Sequence, residues 1–297
     1  MMKKEIEILN KSNLKFHLEN LNNNGFTILK NKNLIVEKIT TDMKLLLYGL
    51  TKNTEFEFDP ITTDLHEITK KIGIKKRSLI GKFYDTARSI LSTIEVASDN
   101  EINSIAKGYM NSDNLLLQIN DQIMRIDLPG ESERYLGDCD NKEIAMLLPW
   151  HQDYPYNQGS QKSLTIYVPL QSGDLNSGGT LEVAIQSHKD GMVEHNFDQE
   201  TATIGEKEIK GISYKVPTNI INNFKTKVLY LDFSDILIFD MDLIHRSVPN
   251  NSGKARFNLQ VRLSDLNDEE FCKRYSTIKT KFHLNLNKKE QSFIKGI

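Results

Sequence analysis

Cysteine is nearly absent: Cys139 and Cys272 are the only two in 297 residues. That is too few for a disulfide framework or a thiolate metal cluster, and it fits a reducing compartment. No run approaches the roughly 18 apolar residues of a membrane span, and the charged stretch from Met1 to Phe16 lacks the apolar core of a secretory signal. A cytoplasmic location with no membrane partner is therefore expected. Charge of one sign is missing too. The 38 Lys plus Arg against 40 Asp plus Glu leave a net charge of −2, which gives no electrostatic footprint for nucleic acid and favours a small-molecule partner. There is no internal repeat and no clean linker, so one domain over residues 1–297 is expected; the oligomeric state is not legible.

What is present divides the chain by period. Residues 1–114 read as mostly helical support. Ser12 can cap a short helix running to about Leu21, Gly25 can end the turn after it, and Phe26 to Leu29 read as a strand. Thr63 or Asp64 can cap a later helix that Gly73 terminates. From Lys76 to Val96, the residues Leu79, Ile80, Phe83, Ala87, Ile90, Leu91 and Ile94 recur at steps of three and four, the apolar stripe of one continuous helix.

From about Leu115 the segments become short, β-prone and separated by Gly, Pro, Asn or Asp. They are Leu115 to Ile119, Ile123 to Leu128, Ile144 to Leu148, Leu164 to Leu170, Thr180 to Ile185, Val228 to Phe233, Ile236 to Phe239 and Phe257 to Leu263. The pattern predicts a mainly β core over 115–265, a barrel or sandwich with helices outside it. Within it, residues 190–227 form a polar insertion too long for a tight turn and hence a candidate lid. Residues 266–297 are expected as a C-terminal helical extension.

Chemistry concentrates in two places. His151-Gln152-Asp153 follows an apolar segment and Pro149, so it falls at a strand's end. A second His-x-Asp, His188-Lys189-Asp190, reads instead as a turn leaving a strand. Downstream, the strand Ile236 to Phe239 leads to His245, and Ser247 two residues later faces the same side in extended backbone. Two imidazoles and one carboxylate on one face of a metal leave the opposite face open, the arrangement of non-haem iron oxygenases. Beyond them Arg256, Asn258, Gln260 and Arg262 alternate with Phe257, Leu259, Val261 and Leu263. One face is polar and one apolar. On the residues alone this is either a surface strand with one wet face or a strand lining a polar lumen. The remaining histidines, His17, His66, His195 and His283, have no partner pattern and read as surface or locally hydrogen-bonded.

These strings resemble the phytanoyl-CoA dioxygenase-like family of Fe(II)/2-oxoglutarate-dependent oxygenases. The match includes His151-Gln152-Asp153, Gly179-Thr180-Leu181-Glu182-Val183 leading into Ser187-His188-Lys189, and His245-Arg246-Ser247-Val248-Pro249-Asn250 with Arg256 eleven residues after His245. The resemblance implies a double-stranded β-helix, a jelly-roll or cupin-like core, flanked by N-terminal helices. It implies that His151, Asp153 and His245 bind Fe(II), with 2-oxoglutarate and O2 as co-substrates and succinate and carbon dioxide as co-products. Arg256 would hold the far carboxylate of 2-oxoglutarate, bidentately and with permanent charge, and Ser247 would add a hydrogen bond. His188 becomes structural or a neighbour of the ligands. Related halogenases replace the carboxylate ligand with a small residue, so the retained Asp153 implies hydroxylation of an aliphatic carbon.

The substrate is expected to be a small, polar or anionic metabolite. Tyr154, Tyr156, Gln158, Arg246 and Arg262 are its candidate contacts, while Arg125 and Arg134, near the early strands, read either as pocket residues or as ordinary surface charges, the second being favoured. Two alternatives stand beside the oxygenase. A cupin-type isomerase or epimerase could share the barrel and a metal without needing Arg256, and a non-catalytic ligand-binding β-barrel would need neither the carboxylate nor both histidines.

Overall fold

A computed structural model describes residues 2–128, 148–172, 180–204, 207–275 and 288–295. In chain order its first part runs α1 (Met2–Asn24), β1 (Phe26–Leu29), α2 (Asn33–Thr51), α3 (Leu65–Lys75), α4 (Arg77–Ala87), α5 (Leu91–Glu95) and α6 (Asn100–Met110). Then come β2 (Leu115–Leu117), β3 (Ile123–Asp127), the single turn α7 (Tyr154–Asn157), β4 (Leu164–Pro169) and β5 (Leu181–Ala184). A long hairpin of β6 (His195–Ile204) and β7 (Lys207–Lys215) leads through α8 (Thr218–Ile221) to β8 (Thr226–Leu229). The chain continues with β9 (Ile236–Asp240), β10 (His245–Ser247), β11 (Arg256–Asp265), α9 (Glu269–Arg274), α10 (Lys288–Gln291) and β12 (Ile294–Lys295). Among the described residues, no helix is long and apolar enough to cross a membrane.

Two of the three sheets are antiparallel throughout. In the six-stranded one, β11 is the hub: it pairs with β4 on one side and with β2 and β3 on the other, and β4 passes the ladder on to β9 and β1. A three-stranded sheet of β10, β5 and β8 lies across from it. Tyr167, Leu237 and Phe239 of the large sheet pack there with Leu181, Val183 and Leu229 of the small one.

The alternation in β11 explains why the large sheet has its orientation. Phe257, Leu259, Val261 and Leu263 turn outward and join Ile126, Ile166 and Ile238 against the helices, where Val36, Ile39 and Met43 of α2, Ile72 of α3, Phe83 of α4 and Ile105 of α6 are buried. Each such side chain contributes about 1.5–3 kcal/mol on burial. A slip of one residue would drive Arg256, Asn258, Gln260 and Arg262 into that apolar layer, so the register is firmly set. Those four residues are buried as well, on the inner face. The lumen reading of this strand is the one the structure supports.

Several sequence expectations are corrected here. The helix before Phe26 starts at Met2, with Ser12 in its interior rather than at its cap, though Gly25 does end it, at φ +87. Asp64, not Thr63, caps α3, accepting from the His66 and Glu67 amides. Gly73 does not stop α3, which continues to Lys75; the glycine stands where a Cβ would lie 2.3 Å from Leu128 Cδ1. The single helix over 76–96 is two, separated at Arg88 to Ile90. Thr93 Oγ1 donates to the carbonyls of Ile90 and Arg88, a side-chain bond that competes with the helical ladder. The insertion over 190–227 contains an ordered β-hairpin. The chain's C-terminal part is not only helical: β12 adds to the hairpin as a parallel strand beside β6. The expected strand Ile144 to Leu148 falls outside the described residues except at Leu148.

Candidate metal centre

His151 and His245 meet across an isolated antiparallel bridge, each amide donating to the other's carbonyl at 2.9 Å. The imidazoles project the same way, with ring centroids 4.2 Å apart. Each ring is held by the same device: Nδ1 lies 2.7 Å from Pro149 O in one case and 2.9 Å from Leu243 O in the other, both two residues upstream. A carbonyl can only accept, so Nδ1 carries the proton and Nε2 is left bare.

Asp153 completes the set. Its Oδ1 lies 3.7 Å from His151 Nε2 and 3.9 Å from His245 Nε2. One ligand atom from each residue lies within 4.8 Å of the others, and all three side chains are buried. An ion about 2.1 Å from each atom asks for separations of roughly 3–3.5 Å, so the two Asp153–imidazole separations would close by under about 1 Å on loading. His151 Nε2 is buried and has no hydrogen-bond partner. An orphaned imidazole nitrogen facing a carboxylate is costly without a metal and satisfied with one, which is the observation that fits the residues to an ion.

The other oxygen of Asp153 is fixed. Oδ2 accepts from Thr165 Oγ1 at 2.6 Å and from Arg262 at 3.2 Å. Burial alone would raise this carboxyl, but Arg262, with His151 and His245 close by, outweighs it and holds Asp153 well below the usual carboxylate range. Burial, with His151 adding to it and Asp153 opposing, takes His245 down to about 3. At neutral pH the centre is one carboxylate with neutral His245 beside it, the protonation states that metal binding requires. Gln152 ties the turn down, donating to Gly191 O and Asp242 O and accepting from the Val193 amide.

Next to the centre the lumen is cationic. Arg256 donates to Asp127 Oδ2 through Nε at 3.2 Å and Nη2 at 3.0 Å, and to Val248 O at 2.7 Å. Arg125 approaches the other oxygen of Asp127 at 3.3 Å. Arg125, Arg256 and Arg262 thus face Asp127 and Asp153, three guanidiniums against two carboxylates, all buried.

The sequence therefore brought together His151, Asp153 and His245, with Arg256 on the same lumen. Ser247 is half-buried in β10, and its Oγ accepts from the Leu148 amide at 3.3 Å. The candidate substrate contacts separate. Tyr156 meets the His151 ring edge-on at 5.7 Å. Arg262 is buried against the ligand Asp153 and Asp121 O, so it serves the centre rather than offering a free cation. Tyr154 points away, to Glu290 and Arg274 of the C-terminal segment. Gln158, in the left-handed conformation, ends α7. Arg246 faces outward, paired with Glu182 at 2.6 Å and lying over Trp150. Arg125, expected on the surface, is buried; Arg134 and His283 lie outside the described residues. His188 reaches Asn22 O at 3.2 Å, away from the ligand set. His17, His66 and His195 are hydrogen-bonded, to Thr27, Ala255 O and Val193 O, and His195 is fully buried.

Asp127 is the residue that sequence reasoning missed. The signal was available: in β3, Arg125 and Asp127 share one face while Met124 and Ile126 share the other, the same alternation that distinguished β11.

No protein-family model matches the sequence, and no curated protein does. Among solved structures, the non-heme monooxygenase ThoJ in its apo form is 15% identical, with 84% of this chain and 77% of that one covered and a TM-score of 0.52. EctD from S. alaskensis with bound Fe is 13% identical, with 84% and 76% covered and a TM-score of 0.51. The chain has their fold. In that fold the two histidines and Asp153 stand where the small sheet and the α7 turn meet the lumen face of the large sheet.

Proposed function

We propose that the chain is an Fe(II)- and 2-oxoglutarate-dependent dioxygenase that hydroxylates an aliphatic carbon of a small polar metabolite. The two sheets are read as the halves of a double-stranded β-helix. The observation that carries the proposal is the pairing of a buried His151, Asp153, His245 set, both imidazoles bare at Nε2, with Arg256 on the same polar lumen.

When bound, iron and the keto acid supply the oxidising power of dioxygen, with succinate and carbon dioxide leaving as co-products. The chain's own residues do the rest. His151, Asp153 and His245 would hold the ion, and Thr165 and Arg262 keep Asp153 from rotating away. Arg256 holds the distal carboxylate of 2-oxoglutarate with Ser247 beside it, and the excess of guanidiniums over carboxylates suits a dianion. Tyr156, packed on His151, walls the centre on the hairpin side, and the β6–β7 hairpin serves as its cover. Asp153 occupies the position a halide would need, which favours hydroxylation.

The test is succinate formation from 2-oxoglutarate by the purified protein in air. The proposal expects slow turnover that needs added Fe(II), stops with a chelator and is absent in Asp153→Ala. Turnover indifferent to iron, or retained in that variant, contradicts it.

A further inference from the structure

Beyond the metal ligands, the fully buried polar atoms without a hydrogen-bond partner include His195 Nε2 and Tyr214 Oη. The register of β6 and β7 puts Phe197 opposite Tyr214. Residues two apart share a face, so His195, Phe197 and Tyr214 lie on one side of the hairpin with His195 diagonal to Tyr214. That side is turned to the metal ligands, because the Tyr214 ring meets Tyr156 at 4.8 Å and Tyr156 meets His151 at 5.7 Å. His195 repeats the device of the two iron histidines: Nδ1 donates to Val193 O, two residues upstream, at 2.8 Å, leaving Nε2 a bare acceptor. Burial, opposed by the Val193 bond and aided by His151, holds this imidazole down to about 4, so it is neutral. Burial and Tyr156 push the Tyr214 phenol up, so its O–H is retained. Unmade bonds of this kind are costly unless a ligand makes them.

We propose that His195 and Tyr214 recognise the substrate, and that the substrate is a neutral hydroxylated molecule, polyol- or sugar-like, one of whose hydroxyls donates to His195 Nε2 while accepting from Tyr214 Oη. This rests on the oxygenase reading above and deepens it by naming the substrate class. A carboxylate would set its lone pairs against that of Nε2. An ammonium would have to leave water for a fully buried place, and it has no hydrogen bond to accept from Tyr214. A hydroxyl satisfies the acceptor and the donor with one group.

The test loads the full chain anaerobically with Fe(II) and 2-oxoglutarate, then titrates glycerol, myo-inositol and D-glucose, with gluconate and glucosamine as the charged counterparts. The expected result is that a neutral polyol shifts the iron–keto acid charge-transfer band and speeds succinate formation in air, and that the charged compounds do not. His195→Phe and Tyr214→Phe still form the band but lose the polyol response at least tenfold. Because Tyr214→Phe deletes a hydroxyl with no partner, its Tm holds or rises. The proposal is overturned if no neutral polyol acts on the wild type, if both variants respond as the wild type does, or if Tyr214→Phe loses several degrees of Tm. Absence of the band in the wild type contradicts the oxygenase reading instead. In that case the His195 imidazole 15N shift in metal-free protein decides: movement with a polyol upholds the recognition pair, and no movement overturns it.

Discussion

His151 and His245 fix each other before any metal arrives: each donates its amide to the other's carbonyl at 2.9 Å, and the bridge sets both imidazoles on the same side. Two segments far apart in sequence thus become one rigid ligand pair. Asp153, two residues from His151, is then brought in by the turn that Gln152 anchors.

Asp153 pairs with Arg262 and, in the proposed site, would also hold the ion. Asp153→Ala is expected to abolish turnover and also to leave the Arg262 charge buried without its carboxylate, a loss of about 3–5 kcal/mol. Asp153→Asn keeps the shape and a hydrogen-bond acceptor for Arg262, so it should lose iron affinity with a smaller loss of stability. Iron titration and thermal unfolding of the two variants separate these effects. Equal stability losses would show that Arg262 does not depend on the charge.

Arg256→Lys keeps the charge and loses the planar fork. The expected outcome is a KM for 2-oxoglutarate raised about 10- to 100-fold, corresponding to roughly 1.4–2.8 kcal/mol, with iron affinity nearly unchanged. Steady-state succinate assays over a range of 2-oxoglutarate concentrations check it. An unchanged KM removes Arg256 from the co-substrate site.

Asp127 lies between Arg125 and Arg256. Asp127→Ala should cost about 3–5 kcal/mol, because two buried guanidiniums lose their carboxylate, and Tm should fall by on the order of 10 °C. Since 2-oxoglutarate brings negative charge to the same arginines, it should raise the Tm of the variant by more than it raises that of the wild type. Equal increments would place the keto acid elsewhere.

Acid should destabilise the metal-free protein early. His245 is down to about 3 and His195 to about 4, mainly through burial, against an ordinary 6.5. Both folded values lie below the unfolded one. The unfolded chain therefore binds more protons as pH falls, and the stability of burying neutral rings is complete above about 6.5 and lost as pH falls towards 4 and then 3. Asp240, raised to about 6 by burial, and Asp242, raised likewise, act in the opposite sense over the same range, so the test is the difference between variants: in thermal unfolding of metal-free protein between pH 7.5 and roughly 4.5, His195→Phe should lose less stability on acidification than the wild type. Equal losses would mean that the His195 ring is not buried neutral.

The cluster of His151, Asp153 and His245 was legible in two pieces: His151 and Asp153 are two residues apart, and His245 and Arg256 flank strand patterns that alternate cleanly. The polar face of β11 was visible, but its direction was not, since a wet surface strand and a lumen strand carry the same alternation. The break at Arg88 to Ile90 was invisible to periodicity because the apolar stripe runs on through it, and Leu91, counted in that stripe, is exposed. Gly73 looked like a stop signal when it is a point of close approach to Leu128, a relation between residues that only the folded chain brings together. Asp127 is hard to see for a similar reason: its importance lies in the two arginines beside it, and in the sequence alone Arg125 reads most simply as a surface charge.

The most direct test of the central claim is an anaerobic visible spectrum of the purified protein with Fe(II), recorded before and after addition of 2-oxoglutarate. The account predicts a charge-transfer band only when both are present, weakened in Arg256→Lys at low keto acid and absent in Asp153→Ala. Iron bound by the wild type with no band at saturating 2-oxoglutarate would contradict it.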